Sequence, residues 1–359
     1  MSKKMTMQEA ITEAKRCLNC SRPLCRTGCP IENNIPEFVR ALSEGNIGNA
    51  YETIAERSNL PAICGRVCAH EKQCEAHCIL AKKNSAISIG SLEMFIADFA
   101  HEYGLNPVPP STGKRGKVAV IGSGPAGLTV AGDLAKMDFA VTIFEGQPEP
   151  GGVLLFGIPE FRLEKEVVRR EINILRKLGV EIVTEKLIGP DMTVDDLFAQ
   201  GYDAIFMGTG TALPRTLDIP GQELSGILTA TYFLKVVVLA DSGKLDKKEV
   251  LIHDDDDVVV IGAGNVAIDA ARTAIRRTSG NVTVLYHKTA EDMTCLPSEY
   301  EAALKEGVQF KFLKKPLGYL NKKQMRALTN TRAKASPADE TELAGLLVQN
   351  IVKDPEGKF

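Results

Sequence analysis

The sequence predicts an α/β protein in which a helical N-terminal domain precedes two parallel-sheet units built from alternating strands and helices. Three observations carry this. Eight of the nine cysteines lie between Cys17 and Cys78, in a stretch with helical periodicity at 7–18, 35–42 and 92–103 and no strand pattern. A Pro- and Gly-rich run at 104–116 suits neither helix nor sheet interior and reads as a linker. Beyond it, β-branched runs alternate with amphipathic helices, and one unit of strand, glycine turn and helix occurs twice, at 118–127 and 258–267. A chain of 359 residues also exceeds what one core usually organises. The expected divisions are 1–103 (helical), 104–116 (linker), 117–225 (first sheet unit), 226–315 (second) and 316–359 (tail).

Composition narrows the class. With 44% hydrophobic and 25% charged residues and a net charge of −3, the chain has no basic excess for nucleic acid. It has no apolar run long enough to span a bilayer, and its first residues are polar, so no membrane role and a cytoplasmic location are expected. The acidic run at 254–257 reads as a solvated loop before a strand.

In a reducing compartment clustered cysteines point to metal rather than disulfides. The first group is Cys17-x2-Cys20-x4-Cys25-x3-Cys29-Pro30 and the second is Cys64-x3-Cys68-x5-Cys74-x3-Cys78. Iron–sulfur cubes need several thiolates on loops that turn back on themselves, and in bacterial ferredoxin runs the cysteine before proline ligates the other cluster. By that logic Cys17, Cys20 and Cys25 share one cluster with a ligand from the second group, and Cys29 joins the remaining cysteines. Structural zinc is the rival reading, but zinc sites favour paired short knuckles, and only Cys17 and Cys20 form an x2 pair. Cys295 reads as a small apolar residue, and His70 and His77 as surface residues.

The first glycine turn, Gly122-Ser123-Gly124-Pro125-Ala126-Gly127, follows strand 118–121 directly and opens a helix. Gly122 permits the tight turn, Gly124 the approach of a pyrophosphate, and Gly127 close helix–strand packing, with phosphate at the helix N-terminus. Glu145 ends the next strand, where a carboxylate accepts from an adenosine ribose, as FAD binding requires. The second turn, Gly262-Ala263-Gly264-Asn265-Val266, has Ala267 in the third glycine's place, and its following strand leads into His287 and Lys288 instead of an acid. Cations there suit the 2′-phosphate of NADP(H). These are Rossmann-type dinucleotide-binding units.

Together these residues resemble the small-subunit family of bacterial glutamate synthase, with its related ferredoxin-dependent NADP transhydrogenase subunits, over roughly residues 8–315. The likeness rests on the run from Cys17 to Pro30, on Cys64-Gly-Arg-Val-Cys68, on 151–163 (GGVLLFGIPEFRL) and on Gly208-Thr-Gly210. It implies a helical ferredoxin-like domain followed by FAD and NADPH domains. It further implies that Cys17, Cys20, Cys25 and Cys78 hold one [4Fe–4S] cluster, that Cys29, Cys68, Cys74 and Glu93 hold a second, and that Cys64 stays unligated. Gly152, Arg162 and Leu187 are implied FAD contacts. The family pattern departs at His287 and Lys288, where paired arginines are usual, and after Pro316, where nothing matches the family's last FAD-domain segment with its Gly-Asp motif; that segment is expected to be missing.

The implied activity is electron transfer between NADPH, FAD and the clusters, with an electron-accepting or electron-donating partner subunit such as a glutamate synthase large subunit, in an oligomer. Rival readings are a cluster-carrying scaffold without stable FAD, or one half of a split enzyme. No acid, base or nucleophile set stands out, so no catalytic residue is assigned.

Overall fold

The computed structural model describes residues 4–83, 85–105, 110–211, 214–329 and 337–351. The chain divides into two compact units, Met1–Phe156 with Glu160–Gly210, and Gly157–Pro159 with Thr211–Phe359.

The first unit begins with α1 (Met7–Ala14), α2 (Leu24–Thr27), α3 (Ile35–Ser43), α4 (Ile47–Ala55), α5 (Pro61–Val67) and α6 (Ile89–Glu102). Local chemistry starts several of them. Thr6 and Glu9 form a reciprocal capping box on α1. The Asn46 side chain caps α4 by accepting from Asn49 N (3.1 Å), and a proline at the first turn opens α3 and α5. Their apolar faces bury Phe38, Leu42, Ile54, Leu92 and Ile96 in one core, with Cys17, Cys25, Cys29 and Cys78 packed on its flank. The cysteine loops are therefore seated on a packed base.

Four parallel strands follow: β1 (Lys117–Ile121), β2 (Ala140–Phe144), β3 (Glu181–Val183) and β4 (Ala204–Met207), in spatial order β3-β2-β1-β4. Crossovers are made by α7 (Pro125–Lys136), α8 (Gly152–Phe156) with α9 (Lys165–Lys177), and α10 (Val194–Ala199). β1 and β2 bury nearly every residue, as a sheet covered on both faces must. Several contacts dock the sheet on the helical part, two of them through buried polar groups. Gly132 of α7 lets Asn59 approach, since a Cβ there would stand 2.5 Å from Asn59 Cγ, and Asn59 Nδ2 donates to Asp133 Oδ1 (2.6 Å). Arg66 of α5 and Arg170 of α9 both donate to Asp98 of α6.

The second unit contains α11 (Ala230–Asp241), β5 (Val258–Ile261), α12 (Asn265–Ala274), β6 (Val282–Leu285), α13 (Pro297–Lys305), β7 (Gln309–Lys311), β8 (Lys314–Asn321), α14 (Lys322–Thr329) and β9 (Leu343–Asn350). Strands β5-β6-β7 form a parallel sheet, and β8 pairs antiparallel with β9. The apolar patch at 343–348, to which the sequence assigns no element, is thus a strand. The pair is anchored to residues 220–225: Tyr319 N donates to Pro220 O (2.8 Å) and Leu343 N to Ser225 O (3.1 Å). Among the described residues no helix is long and apolar enough to cross a membrane.

Candidate functional site

Cys17, Cys20 and Cys25 from the first cysteine group and Cys78 from the second line a single cavity of about 70 Å³. The loops that carry them turn tightly, with Asn19 in the left-handed region (φ 45°) between the first two cysteines. Burial pushes the Cys25 thiol up to about 11, and the neighbouring Cys17, Cys78 and Cys20 charges push in the same direction. Burial likewise raises Cys17, with Cys20 and Cys78 adding to it. Thiols that raise one another this way ionise together only around a strongly positive core, so the donor set fits a bound metal group. Among the described residues no three Cys, His, Asp or Glu side chains converge as they would on one ion. A ring of thiols around a cavity suits a cube, in which each thiolate takes its own iron.

Two members of the second set lie deeper. Cys74 is buried, and burial raises its thiol, with the charges of Glu75, Glu93 and Cys29 adding to it. Glu93, on the buried face of α6, is raised far above the usual carboxylate range by burial, with Cys64 and Glu171 of α9 as its charged neighbours. Cys64 is hydrogen-bonded to Cys68, which with burial raises it strongly. Cys64 is therefore within the same neighbourhood as Glu93, not apart from it. His77 is exposed, whereas His70, expected at the surface, is buried at 8% exposure. Gly90 makes this possible, because a Cβ there would stand 2.4 Å from the imidazole, and burial lowers the His70 pKa to about 4.

The first glycine turn has the steric form of a phosphate cradle. Gly122 has φ +95°, and an added Cβ would meet Gly208 O at 2.5 Å. A Cβ on Gly127 would fall 1.9 Å from Gly122 O. Gly124, by contrast, faces open space, with nothing within 4 Å of an added Cβ. Backbone is thus packed at the outer glycines and open at the middle one, beside the N-terminus of α7. Pro125 and Ala126 form the first turn of that helix. Gly208, from the Gly-Thr-Gly run, lies directly against this turn.

Glu145 is nearly buried, and its Oε2 accepts from Ser123 N (3.0 Å) and Ser123 Oγ while Oε1 accepts from Gln147 N (2.8 Å). Ser123 Oγ also accepts from Gly151 N (2.9 Å), tying the turn to Gly152, whose φ is +50°. This Ser123 relay between Glu145 and Gly151 escapes sequence reasoning, which marked Ser123 only as part of the motif. Arg162 is half-buried and Leu187 is exposed, the latter near Gly146.

In the second unit Gly262 has φ +117°, Ala263 is buried and Val266 exposed. Asn265 Oδ1 accepts from Leu296 N (2.9 Å), and Thr294 Oγ1 would stand 3.4 Å from a Cβ on Gly264, a neighbour no sequence motif signals. His287 is exposed just beyond β6, Lys288 half-buried, and Cys295 buried in the core of this unit as its apolar character implies.

A thiol-lined cavity in a helical domain, followed by two glycine cradles on parallel sheets, defines an iron–sulfur oxidoreductase that binds dinucleotides. Comparison with known proteins agrees. Residues 1–105 match the family described as dihydropyrimidine dehydrogenase domain II, 4Fe-4S cluster, and residues 116–348 match the pyridine nucleotide-disulphide oxidoreductase family. The glutamate synthase [NADPH] small chain of Halomonas elongata is 37% identical over 335 residues, which is 93% of this chain and 71% of that one. The small chain of Escherichia coli is 37% identical over 86% of this chain and 66% of its own length, and the putative oxidoreductase UacF of Escherichia coli is 38% identical over 86% and 49%. The chain belongs to the glutamate synthase small chain family and spans about two thirds of the length of those small chains. A point mutant of FprA from Mycobacterium tuberculosis has the same fold at 18% identity, with a TM-score of 0.50 over 68% of this chain and 66% of that one.

Proposed function

We propose that this chain carries electrons between NADPH, FAD and two [4Fe–4S] clusters, and exchanges them with a partner protein as the small chain of a glutamate synthase does with its large subunit. The observation that carries the reading is the convergence of Cys17, Cys20 and Cys25 with the distant Cys78 on one cavity. Those four would hold the first cluster, and Cys29, Cys68, Cys74 and Glu93 the second. When bound, nicotinamide moves hydride, flavin converts hydride to single electrons, and clusters move one electron each.

The chain's own part is positioning. The turn at 122–127 would offer the N–H groups at its middle glycine and the N-terminus of α7 to the FAD pyrophosphate, and Ser123 and Glu145 hold that turn in shape. In the second unit 262–266 would do the same for NADP(H), with Lys288 and His287 as the cations for the 2′-phosphate. The two sets differ in depth only in part: Cys74 and Glu93 are buried, with Glu171 of α9 a charged neighbour of Glu93, whereas Cys29 and Cys68, like Cys17, Cys20, Cys25 and Cys78, are half-buried. This supports an order in which the second set faces the FAD unit and the first faces outward.

The test is composition. Anaerobically purified protein should contain about eight irons and eight sulfides per chain, as two four-iron clusters require, together with FAD, and NADPH should bleach its visible spectrum. Stoichiometric zinc with little sulfide would sink the reading.

A further inference from the structure

The second glycine turn and the segment that carries its cations are fastened to each other by a side chain. The chain leaves β6 at Tyr286, runs through His287 and Lys288, and returns to the start of α12 before α13 begins at Pro297. Its far end closes on the turn through Cys295 N, which donates to Ala263 O (3.1 Å), and Leu296 N, which donates to Asn265 Oδ1 (2.9 Å). Its near end is held by Leu313 N, which donates to Lys288 O (3.2 Å). Between the ends, Tyr286 Oη donates to Asp292 O (2.9 Å), and Asp292 Oδ2 accepts from Thr289 N (3.2 Å) and Thr289 Oγ1 (2.5 Å). The frame beneath is fixed as well: Arg272 of α12 pairs with Glu299 of α13 (2.5 Å), with the two side chains at 3% and 2% exposure. A braced segment is thus tied to the turn, and Asn265 supplies the side-chain tie.

The backbone of such a turn meets an anion through its N–H groups. The Asn265 carbonyl oxygen is an acceptor, the wrong sign for a phosphate, and it is engaged by Leu296 N. Recognition of NADP(H) needs two anionic groups to be met at once, the pyrophosphate on the turn and the 2′-phosphate on His287 and Lys288. One ribose fixes the spacing between them. A lysine is a point charge on a flexible stem, without the rigid fork of arginine, so how well it meets a phosphate depends on where the backbone holds it. We infer that Asn265 is a positioning residue for nucleotide choice: its bond to Leu296 N sets the 287–296 segment against the turn and thereby strengthens the preference for a 2′-phosphate. The inference rests on the proposed NADP(H) role of the second unit. Such a tie acts by lowering the ordering cost of binding, and adds no contact of its own.

Calorimetry on the purified protein measures binding of NADP+ and of NAD+, which differ only in the 2′-phosphate, so the readout does not depend on turnover. The wild type should favour NADP+. Asn265→Ala should weaken NADP+ about fivefold, as the loss of one hydrogen bond implies, and leave NAD+ within about twofold. Tyr286→Phe, which removes only the hydroxyl that braces the segment on Asp292 O, should lower the preference in the same direction, and it decides alone if the alanine variant does not fold. A direct contact of Asn265 Nδ2 with the nucleotide predicts a different pattern, in which the alanine variant loses NADP+ and NAD+ by equal factors. Equal losses of that kind, or an unchanged preference in either variant, overturn the inference. A wild type that binds neither nucleotide, or that shows no preference for NADP+, defeats the proposed NADP(H) role itself, whereas a wild-type preference that survives in the variants defeats the positioning role alone.

Discussion

Asp98 is the position where the contact between helical domain and sheet is most open to a single substitution. Its carboxylate, 27% exposed, accepts from Arg66 Nη2 through both oxygens (3.1 and 2.9 Å) and from Arg170 Nη2 (2.5 Å). The two guanidiniums are 7% and 11% exposed, and Arg66 also reaches Glu164 through Nε (3.0 Å). Asp98→Asn keeps the shape and removes the charge, leaving two nearly buried cations with less compensation. Breaking a buried pair this way costs about 3–5 kcal/mol. Partial exposure of Asp98 and the surviving Arg66–Glu164 bond reduce this to about 2–4 kcal/mol. At about 2–4 °C per kcal/mol for a unit of this size, the melting temperature should fall by about 5–15 °C at pH 7. Burial works to raise the Asp98 pKa, but the hydrogen bonds and charges of Arg66 and Arg170 outweigh it and hold the group below its ordinary value. A depressed carboxylate contributes stability that is present above its unfolded pKa of about 3.9 and is lost as pH falls through the folded value. The gap between wild type and variant should therefore narrow below about pH 4. Thermal melts by circular dichroism at pH 7, 5 and 3 read both effects. Equal melting temperatures at pH 7, or a gap that does not change with pH, would refute the reasoning.

Three further outcomes follow from the sites. Cys25→Ser should remove about half the iron, since it breaks one cluster of two, and Cys64→Ser should leave iron nearly intact; loss of a whole cluster from the latter would transfer the ligand role from Glu93 to Cys64. Gly127→Ala should abolish flavin binding in spectra of the purified protein, because its Cβ would fall 1.9 Å from Gly122 O and the turn cannot yield without moving β1; an alanine variant with full flavin content would show the cradle to be unused. Wild-type protein should reduce a dye faster with NADPH than with NADH by a modest ratio, and Lys288→Glu should invert it, because an acid repels the 2′-phosphate and accepts from a ribose hydroxyl; faster turnover with NADH in the wild type would remove the assignment.

What was legible in the sequence is what a ligand demands of a few consecutive residues. Gly122, Gly124 and Gly127 could be assigned separate tasks because a tight turn, an open approach and a close packing contact are all local, and the three occupy those three environments. The helices at 7–14, 35–43 and 89–102 were legible for the same reason, through periodicity. Contacts set by tertiary closure were not. Nothing near Ser123 announces that its hydroxyl joins Glu145 to Gly151, and His70 gives no local sign that Gly90 will admit it to the interior. β9 could not be paired from the sequence because its antiparallel partner β8 lies on the far side of α14.

The cysteines stand between these cases, and the reason bears on how the protein is made. Their spacing groups three candidate ligands of the first set, but the proposed fourth, Cys78, joins them only when the packed helices bring the second group round to the same cavity. In that packed state burial and neighbouring thiols push Cys25 up to about 11 and raise Cys17, so both favour the protonated form. Loading must expel those protons, and only a multiply charged metal core makes their ionised form favourable in so little solvent. Cluster insertion and closure of the helical domain would then be thermodynamically coupled: the fold assembles the candidate ligands, and a bound metal core would offset the cost of ionising thiols in so little solvent.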